Sequence, residues 1–535
     1  MLQKNVAEII VEQLVRWGVK RVYGVSGDAN LYFLHALAKH PDIEFIQARH
    51  ETAAAFMASA EAKLTGLPGV CTGTTGPGLV NMLNGLADAA SDRAPVLAIT
   101  GQVESSKMGM PVKQYIDQQV MIQPLALWSA LLCNTQRAAE MTWIGLHHAH
   151  LRGGVAHLSV LKDLWNLPGG EEIKDRPQVQ KGMISENEVQ LVAERLQASE
   201  RPVIMAGRGI AAVAGEVKEL AFRISAPVIT TLPAKGLIPE DFALCVGGLG
   251  HAGTEAAGNL LKESDLILLL GTTWWPQDYT PIHAAPIIQV DADKANLALT
   301  HPAIRAVNAL LEDFVPALLR KMPEMKRKNW LDRIAEERHR WFEQIKTERG
   351  NASSPIMPQA LMAALEKIVP PDAVMVLDVG DHVVWYDRCY WGGQQDLLIS
   401  GTWRSMAFGL PAAIAAKLIL PEKPVVCICG DGGLTMTLGE LVTASQYQAG
   451  VKLVVVNNAS LAMEENRAIA AGLLTDGLKL QNPDFVQVAQ ACGWEAYKVN
   501  KYEELNDNLA KWMASNRPSL IDVSSAAPMP AHTTL

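Results

Sequence analysis

Two short runs near the C-terminus, KPVVCIC (423–429) and VKLVVV (451–456), are almost wholly apolar and rich in valine and isoleucine. Such runs are strands buried on both faces, as in a parallel sheet covered by helices. Between them TLGELVTASQYQAG has helical composition, stops at Gly450 and is long enough for a right-handed crossover. The first strand runs into Gly430-Asp431-Gly432-Gly433 and the second into Asn457-Asn458, so Asp431 and Asn458 stand 27 residues apart. Both polar ends emerge together at the carboxyl edge of the sheet, where open α/β sheets bind ligands. Alone, Gly-Asp-Gly is a turn and Asn-Asn a loop start; the joint spacing on matched strands points instead to a site. A carboxylate and an amide oxygen are hard ligands that suit magnesium, and the glycines let backbone approach a phosphate.

The same alternation fills the chain. At 535 residues it is too long for one core. Strands RVYGV, IEFIQA, GVCTGT and APVLAIT alternate with helices over residues 1–175. After the polar connector GGEEIKDRPQVQKGMISENE, the strands PVIMAGRGI, APVITT, LILLLG and PIIQVDAD make a second domain over 186–325. A charged helical stretch (321–355) reads as a second linker, and residues 356–535 form the third domain. The expected fold is α/β, three doubly wound parallel-sheet domains, with the first and third as relatives of one another. The net charge of −9 argues against a nucleic-acid partner. Seven scattered cysteines without a CxxC pair indicate a cytoplasmic protein, not a disulfide framework or zinc site. The N-terminus reads as an amphipathic helix, not a targeting peptide, and no apolar run reaches membrane-spanning length.

A second candidate site lies in the first domain. In RHETAAAFMASAEAKLTG, Glu51 sits near the start of a helix whose small residues permit close packing; a helix-start acid is its plain structural reading. Gly76-Pro77-Gly78 opens another helix, and SGD (Ser26-Gly27-Asp28) ends a strand, placing Asp28 at a carboxyl edge. The cluster His147, His148 and His150 does not share one helix face, which speaks for a solvated helix end over a metal site.

In order and spacing, RHE, TGPG, DVGDHVVW, MAFGLPAAI, GDGG and NN resemble the thiamine-diphosphate-dependent 2-oxo acid enzymes: the pyruvate oxidase, acetolactate synthase and pyruvate decarboxylase superfamily. The resemblance covers nearly the whole chain. It implies a pyrimidine-binding, a central nucleotide-type and a diphosphate-binding domain. It also implies a thiamine diphosphate and Mg2+ cofactor pair, with Asp431, Asn458 and the Ser460 carbonyl as metal ligands. Gly430, Gly432 and Gly433 would lie on the diphosphate. Gly27, Gly76, Pro77, Gly380, His382, Arg404, Ala462 and Met463 fall on cofactor-contacting motifs, and Met406 is the apolar prop that bends the cofactor. Glu51 would hold the pyrimidine ring and drive it to the imino form that deprotonates the thiazolium. The implied activity is decarboxylation of a small 2-oxo acid through an enamine, whose acyl or aldehyde unit is released or transferred.

The branch is less sharply written. Asp28 follows the decarboxylase and oxidase pattern, and Glu464 aligns with a decarboxylase glutamate that would deliver a proton; an exposed helix acid is its plain reading. Against a standard decarboxylase, VESSKMGM has serines where that branch carries paired histidines. Lys113-Gln114 stands where oxidases and acetolactate synthases carry Phe-Gln, with Gln114 kept as a site residue. Arg404 replaces a glycine, so two cations could hold an additional anionic group. The motifs AGRGI, LPAKG, GGLGHAGTEAAGN and IQVDAD resemble FAD-binding positions, yet VNALLEDF lacks the usual Gly-Asp, which leaves FAD open. The competing readings are an FAD-linked pyruvate oxidase and a silent cofactor-binding homologue; intact Glu51, Asp431 and Asn458 oppose the latter. By the resemblance, pyrimidine and diphosphate halves come from different subunits, implying a homodimer or a dimer of dimers with sites at the interface.

Overall fold

The valine- and isoleucine-rich runs do become interior strands. In a computed structural model describing residues 3–170, 172–178, 184–250, 252–273, 285–392 and 395–529, eighteen strands form three six-stranded sheets. The first contains β1 (Arg21–Gly24), β2 (Glu44–Gln47), β3 (Gly69–Gly73), β4 (Val96–Gln102), β5 (Ala126–Leu132) and β6 (Val155–Leu161). The second contains β7 (Pro202–Ala206), β8 (Val228–Thr230), β9 (Cys245–Gly248), β10 (Leu266–Leu270), β11 (Ile287–Asp291) and β12 (Arg305–Asn308). The third contains β13 (Val374–Leu377), β14 (Asp396–Ile399), β15 (Val425–Gly430), β16 (Lys452–Asn457), β17 (Glu495–Val499) and β18 (Ser519–Ser524).

All neighbouring strands are parallel; β15 pairs β16 from Val426–Lys452 to Gly430–Val456, which brings the Asp431 and Asn458 ends together. The first sheet runs β2-β1-β3-β4-β6-β5 and the third β14-β13-β15-β16-β18-β17, the same order one domain apart. The kinship expected between the two domains is thus present at the level of topology. The second runs β9-β8-β7-β10-β11-β12 from one edge to the other, the doubly wound order of dinucleotide-binding folds. The three doubly wound domains expected from the sequence are therefore all present.

The first and third domains share one apolar core. Its centre is the contact between the helices Glu51–Thr65 and Gly409–Ile419. Alanines line both helices, and Phe56 meets Phe408 edge-on with ring centroids 5.7 Å apart. A Cβ on Gly85 would sit 2.9 Å from the Phe56 nitrogen, so the helix Pro77–Ser91 also needs its small residues to approach. The charged stretch read as a second linker is the helix Lys328–Arg349, which buries Trp330, Ile334, Trp341 and Ile345. It is packed structure, because every third or fourth residue is apolar despite the charge between them. In the first connector, Gln13 bonds the Lys174 backbone and Arg16 pairs with Asp175; residues 171 and 179–183 lie outside the described residues.

Candidate active site

Strand order reverses between β13 and β15, and there the polar loops of the third domain converge. Asp431 is 2% exposed. Its Oδ2 accepts hydrogen bonds from the Ala459 amide and Asn482 Nδ2, each at 2.7 Å, and its Oδ1 from the Gly432 amide at 2.9 Å. Burial raises this carboxyl against those donors, and no cationic side chain among the described residues pairs with it. A buried carboxylate left in that state fits a divalent cation. The two asparagines divide: Asn457 bonds Asp522 and Asn482, whereas among the described residues the Asn458 amide oxygen accepts only from the Ser460 amide, at 3.1 Å. Ser460 Oγ donates to Glu465, which Lys479 holds at 2.6 Å.

The glycines are closely packed. A Cβ on Gly432 would stand 3.2 Å from the Met406 methyl and 3.0 Å from Leu461; one on Gly430 would stand 3.3 Å from His382 Nδ1. A Cβ on Gly433 would collide with the Asp378 carboxylate. Asp378 is fully buried and accepts from the Val379 amide (2.7 Å), the Cys429 thiol (3.0 Å) and the Ala407 amide (3.3 Å). One residue thus ties the Gly380, Met406 and Gly430 segments together. His382 Nε2 lies 3.0 Å from the Asp378 carbonyl, which can only accept. The proton is therefore on Nε2, leaving the Nδ1 lone pair towards Gly380 and Gly430. Burial pushes this imidazole down to about 4, so it is neutral near pH 7.

The helix Ala462–Ala470 begins beside this loop, with Ala462 buried and Met463 next to it. Its register turns Glu465 inward, while Glu464 points out and pairs with Arg467 at 3.1 Å.

In the first domain the equivalent reversal lies between β1 and β3. Gly27 packs against Thr74, and Asp28, exposed, pairs at 2.5 Å with Lys162 from the end of β6. Pro77 occupies the first turn of its helix, where its missing N–H costs nothing. Gly76 has φ +61°, and any Cβ there would strike the Gln114 carbonyl, so the Lys113-Gln114 loop rides directly on this turn. Gln118 holds that loop from behind, bonding Thr100 and the Gly101 carbonyl. Glu51 is 8% exposed and accepts from Asn81 Nδ2 at 3.0 Å. The Arg49 and His50 amides just before it both donate to Glu440 of the third domain (2.9 and 3.1 Å). Among the described residues, four of the eight non-glycine residues with positive φ, Gln114, Arg404, Ala407 and Ala459, fall on these loops; strain gathered in one place marks a site.

Among the described residues no hydrogen bond or ion pair joins Glu51 to Asp431, Asn458 or His382. The three histidines 147, 148 and 150 instead pack on Trp143, Trp128 and Trp17.

Comparison with known proteins decides the family. Residues 4–123 match the thiamine pyrophosphate enzyme N-terminal TPP-binding domain, 189–318 the central domain and 378–523 the C-terminal TPP-binding domain. YdaP of Bacillus subtilis (strain 168), whose name speaks of thiamine pyrophosphate and no reaction, is 34% identical, covering 100% of this chain and 94% of its own. The chain belongs to the thiamine-diphosphate-dependent 2-oxo acid enzyme superfamily. Within this superfamily it is also similar to pyruvate oxidase of Lactiplantibacillus plantarum (29% identical, 98% of this chain, 89% of that one). Acetolactate synthase isozyme 1 large subunit of Escherichia coli is 30% identical over 97% of this chain and 93% of its own.

For a thiamine-diphosphate enzyme the donor set is apt: one buried carboxylate, one amide oxygen and a nearby carbonyl, beside glycines that leave backbone open to phosphate. Asn482, Lys162 and Glu440 belong to these sites although no sequence motif marked them, and Asp378 opens the DVGDHVVW motif without having been singled out. Asn482, Lys162 and Glu440 each reach the site from a separate segment, and only the fold brings them there.

Proposed function

We propose that the protein binds thiamine diphosphate with Mg2+ and decarboxylates a small 2-oxo acid, releasing or transferring the remaining acyl or aldehyde unit. The observation that carries the reading is Asp431, a buried carboxylate with no cationic partner among the described residues, beside the close-packed glycines 430, 432 and 433. Asp431, Asn458 and the Ser460 carbonyl would hold Mg2+, which neutralises the diphosphate lying on Gly430, Gly432 and Gly433. When bound, thiamine diphosphate supplies a carbanion that adds to the 2-oxo carbonyl and accepts the electron pair left by CO2.

The rest falls to the protein. Glu51, dry and oriented by Asn81, holds a proton at the pyrimidine ring. Met406 and His382 wall the cofactor pocket with an apolar group and a neutral imidazole. Asp28 and Glu464 would hold or move protons at the reacting carbon, with Gln114 beside them as a hydrogen-bonding site residue. Gly27, Gly76 and Pro77 would shape the pyrimidine crevice, Gly380 would lie on the diphosphate side, Arg404 stands where the family's glycine backbone meets the aminopyrimidine, and Ala462 and Met463 fall on a cofactor-contacting motif.

By the family resemblance the pyrimidine and diphosphate halves of one site come from different subunits, which makes the proposed assembly a homodimer or dimer of dimers with sites at the interface. Exposed Val80, Met436 and Val442, beside the two half-sites in sequence, suit such a contact. No helix among the described residues is long and apolar enough to cross a membrane, and a cytoplasmic location is part of the proposal.

The test is incubation of the protein, with both cofactors, against a panel of 2-oxo acids, following CO2 and products by mass spectrometry. No CO2 from any of them would defeat the reading. The second reading is an FAD-linked oxidase, favoured by the dinucleotide strand order of the second sheet and the similarity to pyruvate oxidase. Two features bear on it. Gly207 and Gly209 close against Gly271 at the reversal between β7 and β10, and Arg208 donates to the Lys63 carbonyl in the first domain. His251, within one of the flavin-like motifs, and 274–284 lie outside the described residues. A yellow protein that reduces a dye with pyruvate would decide for the oxidase.

A further inference from the structure

The segment that delivers Met406 is fixed by a different domain from its own. Asn84, Asp88 and Asp92 recur at four-residue spacing, one face of the helix Pro77–Ser91 and its cap. Asp92 accepts the Gly401 amide at 2.8 Å and the Thr402 amide at 2.7 Å. Lys63, buried to 2% of its side chain, bridges Asp88 and Asp92 at 2.7 Å each and donates to the Ile399 carbonyl at 3.2 Å. The Asn84 amide takes both ends of the next turn: its oxygen accepts Trp403 Nε1 at 2.8 Å and its nitrogen donates to Ser405 Oγ at 2.9 Å. Arg404, between those two clamped residues, is bent to φ +55°, a conformation a non-glycine residue keeps only when its neighbours are held. The chain then places Met406 against Gly432 and hands the Ala407 amide to Asp378.

We infer that Asn84 and Asp92, on the first domain, are positioning residues that set where Met406 stands in the third. The inference rests on the thiamine diphosphate reading. Methionine is unbranched and adaptable, so the shape it presents depends on where its backbone is held.

Three full-length variants test this: Asn84→Ala, at an exposed position that folding tolerates, Asp92→Asn, and Glu337→Gln as control. Glu337 is a buried acid of the central domain, paired at 2.5 Å with Arg333 and remote from this segment. Without cofactor, hydrogen–deuterium exchange of peptides spanning 399–406 should rise at least about tenfold in Asn84→Ala and Asp92→Asn and stay unchanged in Glu337→Gln. With Mg2+, calorimetry should show thiamine diphosphate affinity about tenfold weaker in the first two. Exchange of the bound cofactor's C2 proton should slow in them as well, while Glu337→Gln loses only thermal stability. Unchanged exchange at 399–406, or looser peptides with unaltered affinity and C2 exchange, would overturn the inference. If the unaltered protein takes up no thiamine diphosphate, the cofactor reading itself falls, and this inference with it.

Discussion

Glu51 begins a helix whose remaining residues are nearly all buried, and its carboxylate has one side-chain donor, Asn81. Replacing it by Gln preserves size and that contact but removes the charge. Glu51→Gln should leave thiamine diphosphate binding within a few-fold and lower turnover by about 10²–10⁴. Near-normal C2 proton exchange, read by NMR after quenching, would contradict the assignment. Glu464 is the branch test. Glu464→Gln should slow aldehyde release while sparing CO2 loss; if neither changes, it is the exposed, Arg467-paired acid that one chain presents. At this scale, what the sequence disclosed depended on repetition in a fixed frame. Asp431 and Asn458 were legible because one βαβ unit dictates that their spacing ends at one edge. Asn482, 51 residues from the carboxylate it bonds, was not, nor was Lys162, 134 residues from Asp28.

Elements were most legible where total burial came with apolar residues throughout. β10 is buried at all five positions and its unbroken apolar character announced it, whereas β4 and β6, buried at all seven positions each, carry Thr100, Gln102, His157 and Ser159 among their apolar residues. The helix Lys328–Arg349, read as a charged helical linker, also carries a sparse apolar stripe that its charged majority hides. A polar device also sits inside the first sheet. His157, on β6, lies between Thr100 Oγ1 at 2.8 Å and Ser129 Oγ at 2.9 Å. Burial lowers it from 6.5 to about 3. The unfolded chain therefore binds the extra proton between those values, so this contribution is intact above pH 6.5 and lost on acidifying towards 3. At about 1.4 kcal/mol per pH unit, the loss is on the order of 5 kcal/mol. In urea titrations across that range, His157→Gln should show a much shallower fall in stability with acid than the unaltered protein; parallel curves would remove His157 as the cause.

For the molecule, no hydrogen bond or ion pair among the described residues joins Glu51 to Asp431, and in the proposed dimer a second chain completes the site. Mixing inactive Glu51→Gln with inactive Asp431→Ala subunits, under conditions that exchange chains, should restore activity, because some heterodimers carry one intact site. No recovery after verified exchange would mean each chain builds its own site. Sequence disclosed three domains from their strands, but not that the first and third are fused through one alanine-lined core, since small residues look alike whether they meet their own helix or another. The equal strand order of those two sheets has its own consequence. The same crevice, outside the same pair of strand ends, has been built twice and furnished differently. One copy carries an acid, a lysine and a glycine–proline turn; the other carries a lone carboxylate, asparagines and glycines. Their contents are interchangeable in principle while their positions are not, so exchanging loop lining between the two should alter which end of a ligand each accepts before it disturbs either scaffold.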